Sequence, residues 1–79
     1  MQPVTRQALS RWGQTLRQVR RSQGLSQGDL AEMVGVTTPT VSKWESGAVT
    51  IRDSHKVKVA AALNTEVGFL FPLTVEFAA

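Results

Sequence analysis

Apolar residues recur at steps of three and four along the first third of the chain. They are Ala8, Trp12, Leu16 and Val19, and this spacing places them on one face of an amphipathic helix. We predict that this helix begins either near Thr5 or at Ser10, with Gly13 as a weak position inside it. Gly24 ends it, because glycine tolerates the left-handed conformation of a helix C-terminal cap.

A second, shorter helix is predicted after Ser26. The segment 26–29 has the pattern of a capping box, with Asp29 in place of the usual Glu or Gln. Gly35 stops this helix after about two turns. Its inner face consists of Leu30, Ala31 and Val34.

A third helix follows at once, capped by Thr37 and running to Ser46 before Gly47 closes it. Pro39 is its second residue, a position where a missing N–H costs little because that donor has no partner within the helix. The residues that point inward are Val41 and Trp44. The second and third helices are therefore both short and separated by a glycine turn.

The pattern of the fourth helix is less regular. After a loop over 48–52, either Asp53 or Ser54 is expected to cap it, and Asn64 is expected to end it. The predicted inner face consists of Val57, Ala60 and Leu63.

A short fifth helix is predicted from Thr65 to Pro72, with Val67, Leu70 and Phe71 as its apolar residues. Beyond it Leu73, Val75 and Phe77 alternate with polar residues, which is the period of a strand. The expected fold class is therefore all-α with five helices and a short C-terminal strand.

Composition narrows the class of protein. The 79 residues are enough for one small domain, and 42% hydrophobic with 19% charged residues is typical of a globular chain. Without cysteine, neither a disulfide framework nor a thiolate zinc site is available. The longest apolar stretch, 67–75, is too short to span a bilayer, so we expect no membrane-spanning segment. The absence of cysteine and of a segment like a signal peptide favours a cytoplasmic location.

Charge is distributed unevenly along the chain. The net charge is +3, and the first acidic residue, Asp29, is preceded by five arginines: Arg6, Arg11, Arg17, Arg20 and Arg21. This asymmetry suits a polyanionic partner, either nucleic acid or an anionic membrane.

Two short helices joined by Gly35-Val36, with the small Ala31 where they pack, have the geometry of helix-turn-helix DNA-binding proteins. The residues that carry a closer resemblance are Gln27, Ala31, Gly35-Val36-Thr37, Val41-Ser42-Lys43-Trp44-Glu45 and Gly47, flanked by Leu25-Ser26-Gln27 and Ala61-Ala62-Leu63. Together they resemble the Xre/Cro family, which includes the lambdoid phage repressors.

The resemblance implies a five-helix lambda-repressor-like domain over residues 12–71. Residues 1–11 would form an N-terminal extension with the start of the first helix, and 72–79 a C-terminal tail. The third helix, about 37–46, would be the recognition helix in the major groove. The chemistry of base reading fits this role, because threonine can bond a base edge and proline can offer apolar contact.

The resemblance also implies individual roles. Thr38 and Pro39 correspond to the family's main base-reading positions, and Lys43 lies one turn further along the helix. Gln27 resembles a glutamine that holds a phosphate and braces the recognition helix, where helix N–H groups add donors. The full set of expected DNA-binding residues is Gln27, Thr37, Thr38, Pro39, Thr40, Ser42, Lys43, Ser46 and Arg52.

Arg20 and Glu45 match a family pair that joins the first helix to the end of the third as a partly buried salt bridge. We therefore interpret both as structural. The family has apolar residues where this chain has Asp53 and Lys56, so the run 52–56 is left open: it could face DNA, a partner subunit or water. His55 has no nearby cysteine or second histidine, so we expect a surface histidine, no metal site and no cofactor.

No constellation of catalytic residues is evident, and we expect no enzyme activity. The expected function is sequence-specific binding of double-stranded DNA by a transcriptional regulator, and a repressor is favoured. An antitoxin and a restriction-modification controller of the same fold also fit, as does a protein-interaction module that does not bind DNA.

Because one recognition helix contacts few base pairs, we expect a homodimer on a palindromic operator. The predicted partner surface consists of Phe69, Leu70, Phe71, Leu73, Val75 and Phe77, with the strand pairing across a two-fold axis. The competing interpretation is that this tail folds back on its own domain or is disordered.

Overall fold

The computed structural model describes residues 5–72, so the strand predicted from Leu73 through Val75 to Phe77 lies outside the described residues. The helices are α1 (Arg6–Ser22), α2 (Gln27–Val34), α3 (Thr38–Ser46), α4 (Asp53–Ala62) and α5 (Val67–Leu70). All regular structure within 5–72 is helical, which confirms the all-α class. None of these helices has the length and apolarity needed to cross a membrane.

Local capping accounts for the first two helix starts. Thr5 accepts a hydrogen bond from the backbone N–H of Ala8 at 3.0 Å, so the earlier of the two predicted starts of α1 is correct. At α2 the capping box is complete: the Ser26 hydroxyl accepts from the Asp29 N–H, and the Asp29 carboxylate accepts from the Ser26 N–H, each at 2.9 Å. These hydrogen bonds lower the pKa of Asp29.

The helices pack around one core. Helix α1 contacts α3 and α5, α2 contacts α3 and α4, and α4 contacts α5. The core consists of Trp12, Leu16, Leu30, Ala31, Val34, Val41, Trp44, Ile51, Val59, Ala60, Leu63, Leu70 and Phe71. Burial of these apolar side chains is the main stabilising contribution, since cysteine is absent from the sequence.

Two glycines allow α1 and α3 to cross at close range. A Cβ atom on Gly13 would lie 2.6 Å from the carbonyl oxygen of Trp44 and closer still to that of Glu45. On the other side of the crossing, Gly47 lies against the backbone of Ser10 and has φ +76°. Gly13 is therefore required at a helix contact, which explains a residue that helix propensity alone disfavours.

The register of α4 differs from the prediction. Val57 is 59% exposed, and Val59 takes the buried position instead. The N-cap is Arg52 rather than Asp53 or Ser54, and the helix ends at Ala62 with Leu63 as C-cap. These predictions were wrong because this segment has apolar residues on several faces, and packing against α2 and α5 selects one of them.

Lys56 is buried, which removes the option that this part of 52–56 faces DNA or water. Its Nζ lies 4.4 Å from the ring centroid of Trp12 and 5.8 Å from that of Phe71. The carboxylate of Asp53 lies 3.4 Å from the same nitrogen and is itself exposed. The lysine stem thus packs in the apolar interior, and the charge is stabilised by aromatic faces and one carboxylate.

Helix α5 is shorter than predicted, and its N-cap is Glu66. Leu70 and Phe71 are buried. The Phe71 ring meets Trp12 edge-on at 5.8 Å between centroids. The Trp12 indole N–H donates to the Pro72 carbonyl at 3.1 Å. Leu70 and Phe71 therefore belong to the core of their own domain, which corrects their predicted place in a partner surface.

Candidate nucleic-acid interface

The outward face of α3 is polar and uncovered. Val41 and Trp44 are buried, as predicted, and anchor the opposite face of the helix in the core. The side chains of the outward face that are exposed are Thr38, Pro39, Ser42, Lys43 and Ser46. The structure thus brings most of the predicted DNA-binding residues onto one surface, fixed from behind by two large apolar contacts.

The start of α3 is tightly specified. The Thr37 hydroxyl accepts from the Thr40 N–H at 3.4 Å, and the two hydroxyls lie 2.9 Å apart. Thr37 is exposed, whereas Thr40 is half-buried. Because a hydroxyl both donates and accepts, this pair keeps hydrogen-bonding capacity toward a third group. Pro39 follows at the start of the helix, as predicted.

The first turn of α2 lies against the first turn of α3. A Cβ atom on Gly28 would lie 3.4 Å from the hydroxyl oxygen of Thr38, an ordinary van der Waals distance. Gln27 is the preceding residue and the first residue of α2. The N-terminal ends of the two helices therefore meet, with Gly28 and Thr38 at the contact and Gln27 next to it in the chain.

A buried ion pair fixes the C-terminal end of α3. Arg20 Nε lies 2.6 Å from Glu45 Oε2, and Arg20 Nη2 donates to Glu45 Oε1 at 2.9 Å. A further guanidinium nitrogen donates to the Leu25 carbonyl at 2.7 Å. The predicted salt bridge is therefore present with bidentate geometry, and both side chains are almost fully buried.

Gln27 joins the same network. Its side-chain amide donates to Glu45 Oε1 at 3.0 Å, which connects the start of α2 to the end of α3. An amide nitrogen has two hydrogens, so one donor remains for a ligand. The bracing role that the resemblance implied for Gln27 thus has a physical basis in this contact, and its phosphate contact stays a prediction.

The network favours the ionised form of Glu45. Burial alone would raise the pKa of this carboxyl, but hydrogen bonds from Arg20 and Gln27, together with the charges of Arg20 and Arg17, lower it below its ordinary value. The hydrogen bond to Glu45 raises the pKa of Arg20. The pair is therefore charged on both sides at neutral pH, and its charges compensate each other inside the protein.

Residues beyond α3 complete the neighbourhood. Ser46 donates from its hydroxyl to the Lys43 carbonyl at 3.1 Å, and Arg52 is exposed at the start of α4. His55 is half-buried rather than a free surface residue, with its ring 5.4 Å from that of Trp44. Within residues 5–72 no group of three or more potential ligands is placed to hold a metal ion.

Sequence reasoning missed two features of this site. It did not anticipate the hydrogen bond between Gln27 and Glu45, because the two residues belong to different helices and no local pattern connects them. It treated Gly13 as a weakness in α1, because the contact that requires a glycine there is with a helix distant in sequence.

Two short helices, a glycine turn and an exposed polar face braced from behind define a helix-turn-helix domain. A protein-family model described as "Helix-turn-helix" matches residues 16–70. The chain belongs to this family, and the resemblance to the Xre/Cro type is confirmed.

One curated relative is the "Uncharacterized HTH-type transcriptional regulator y4wC" of Sinorhizobium fredii. It is 35% identical over 63 residues, which are 80% of this chain and 44% of the relative. The chain thus spans less than half the length of this protein.

Two solved structures share the fold. The restriction-modification controller protein C.AhdI from Aeromonas hydrophila matches with a TM-score of 0.80 and 35% identity, over 84% of this chain and 96% of that one. The P22 c2 repressor, solved in complex with a synthetic operator, matches with a TM-score of 0.74 and 24% identity, over 77% and 92%. The lambda-repressor-like architecture predicted from the sequence is confirmed.

Proposed function

We propose that this chain binds double-stranded DNA in a sequence-specific manner and regulates transcription. Helix α3 enters the major groove, where Thr38, Pro39 and Lys43 meet base edges. Gln27, Arg52 and the remaining hydroxyls contact phosphates, which position the domain without reading sequence. The proposed location of the protein is the cytoplasm, where it binds DNA.

The observation that carries the proposal is the contrast between the two faces of α3. One face is held by Val41 and Trp44 in the core, and the C-terminal end is fixed by the ion pair of Glu45 with Arg20. The other face presents polar side chains to solvent. Rigid support behind an exposed polar face is what accurate placement of a reading helix requires.

A repressor is the simplest regulatory role, because a bound domain occupies DNA that another protein would need. Two narrower roles fit the same fold, an antitoxin and a restriction-modification controller. The likeness to C.AhdI over nearly its whole length favours the controller of these two. The proposed partner DNA is a palindromic operator, and the proposed assembly on it is a homodimer.

A surface for self-association remains after Phe71 is assigned to the core. On α5, Phe69 is 62% exposed and Val67 is 37% exposed. Both lie next to the predicted tail residues Leu73, Val75 and Phe77 in sequence, and a large exposed aromatic ring is typical of an interface. We assign Phe69 and Val67 to the partner surface.

Selection of bound sites from random duplexes, followed by footprinting, tests the proposal. The expected result is an enriched sequence with two half-sites about one helical turn, roughly 34 Å, apart. Enrichment of no sequence would contradict specific recognition. Enrichment of one half-site alone would contradict the dimer.

The competing role is a protein-interaction module of the same fold. A DNA-binding domain binds nonspecific duplex DNA at low salt, which a gel-shift assay detects. Its affinity for that DNA falls steeply as the salt concentration rises. If no duplex is bound at 50 mM salt, the interaction module becomes the better interpretation.

A further inference from the structure

One face of α1 runs alongside the end of the recognition helix. Ser10 and Gly13 touch the C-terminal end of α3 directly, at Gly47 and at the carbonyls of Trp44 and Glu45. Arg17 is four residues beyond Gly13 and therefore lies on the same face, one turn further along. Arg17 is exposed, whereas Arg20, on the adjoining row, is buried.

Arg17 carries a charge that the neighbouring network does not neutralise. Glu45 Oε2 accepts from Arg20, and Oε1 accepts from both Arg20 and Gln27, so both carboxylate oxygens already have partners. The Arg17 charge nonetheless contributes to the lowered pKa of Glu45, as expected for a nearby guanidinium. Within residues 5–72, Arg17 takes part in no side-chain hydrogen bond or ion pair.

A cation whose field reaches Glu45 has a specific consequence for an anion bound at Gln27, because the Gln27 amide donates to that carboxylate. Gln27 keeps one amide hydrogen free, and α2 begins at this residue, so the unpaired N–H groups of the first turn of α2 lie beside it in the chain. These neutral donors attract a phosphate only moderately. A guanidinium close by adds a full charge and up to five donors, in a planar arrangement that matches phosphate oxygens.

We propose that Arg17 is a DNA phosphate contact, which extends the footprint of the domain from α2 and α3 onto α1. Its ligand is the sugar-phosphate backbone of the strand that passes Gln27 and the end of α3. The contact supplies affinity that does not depend on sequence. This inference rests on the proposed DNA binding.

The test is the salt dependence of binding for wild type, Arg17→Gln, Arg17→Lys and Arg11→Gln on the same duplex. Loss of one phosphate contact lowers the slope of log affinity against log salt by about 0.9 per bound copy. The advantage of wild type over Arg17→Gln should therefore shrink roughly 3.5-fold between 50 and 200 mM salt. Arg17→Lys should retain most of the slope.

Arg11→Gln is the matched control, because Arg11 is an exposed arginine of α1 six residues from Arg17 and thus on a different side of the helix. An unchanged slope for Arg17→Gln, or an equal decrease for Arg11→Gln, overturns the assignment. So does a fall in the melting temperature of Arg17→Gln to that of a core variant, since Arg17 would then be structural. Failure of wild type to bind any duplex instead contradicts the proposed function itself.

Discussion

The backbone of Gly13 on α1 rests against the carbonyl oxygens of Trp44 and Glu45 at the end of α3. No side chain fits between them, since even a methyl group on residue 13 would lie 2.6 Å from the Trp44 oxygen. The same short stretch of α3 holds the inward tryptophan and the buried carboxylate. The position of α3, the proposed recognition helix, therefore depends on the absence of a side chain at residue 13 of α1.

Gly13→Ala should destabilise the fold despite the better helix propensity of alanine. The gain in propensity is up to about 1 kcal/mol, whereas forcing two helices apart costs about 1–3 kcal/mol or more. Gly68→Ala is the control, because nothing lies within 4 Å of a Cβ atom at that position. Urea unfolding measures both variants. Equal stability of Gly13→Ala and wild type would mean that the helices are not in close contact.

Glu45→Ala should destabilise the fold by about 3 kcal/mol, which is the lower end of the range expected when one partner of a buried ion pair is removed. The reason is that Arg20 loses two hydrogen bonds but keeps its contact with the Leu25 carbonyl. Glu32→Ala removes an exposed carboxylate of α2 and should change stability by less than about 0.5 kcal/mol. Small and equal effects of the two substitutions in urea unfolding would show that the pair contributes little.

The same carboxylate predicts a specific acid sensitivity. The folded-state pKa of Glu45 is lowered, so its contribution to stability is complete above the ordinary value of 4.5 and is lost as pH falls through the folded-state value. Protonation then favours the unfolded chain, which binds the proton more readily. Melting temperatures between pH 7 and pH 3 should fall less steeply for Glu45→Gln than for wild type. The melting temperature of Glu32→Gln should fall with pH as that of wild type does. If it falls equally in all three proteins, Glu45 is not the source of the acid sensitivity.

Substitutions of the proposed base-reading residues should weaken DNA binding without destabilising the fold. Thr38→Ala and Lys43→Ala should each weaken binding to the selected operator by about 1–3 kcal/mol while the melting temperature stays near that of wild type, because both side chains are exposed. Gln27→Ala should weaken binding to all sequences alike. A changed base preference for Gln27→Ala would mean that Gln27 reads bases directly.

The sequence predicts those parts of this fold that are determined locally. Ser26 and Thr37 start helices through hydrogen bonds to residues three positions away, and Gly35 ends one through a φ of +86°. Such signals need no knowledge of the rest of the chain. The outward face of α3 follows from the same local information, because Val41 and Trp44 fix its inward direction.

The features that were missed depend on contacts between distant parts of the chain. Nothing local in the sequence indicates that Lys56 is buried. The aromatic faces of Trp12 and Phe71, from other parts of the chain, accommodate its ammonium group. From the sequence Phe71 was predicted to lie outside a core that was already complete. In the structure its ring packs edge-on against Trp12 within that core. In α4, Val57 and Val59 are equally apolar, and only packing distinguishes the buried one.

The proposed dimer surface offers the last test, through Phe69. A carboxylate at this position would be buried without a partner in an apolar interface, which is strongly unfavourable. Phe69→Asp should therefore weaken self-association at least tenfold, about 1.4 kcal/mol, and weaken binding to the two-half-site operator more than binding to a single half-site. The domain itself should stay folded, since the ring is 62% exposed.

Met33→Asp is the matched control for Phe69→Asp. Met33 is 52% exposed and lies on α2, which packs mainly against α3 and α4 rather than α5. Its substitution should therefore leave self-association unchanged. Deleting residues 73–79 separates the contribution of the tail from that of α5. Sedimentation measures association in every case. If Phe69→Asp self-associates and binds the operator as wild type does, α5 is not the dimer element. If only the deletion weakens self-association and operator binding, the partner surface lies in the tail alone.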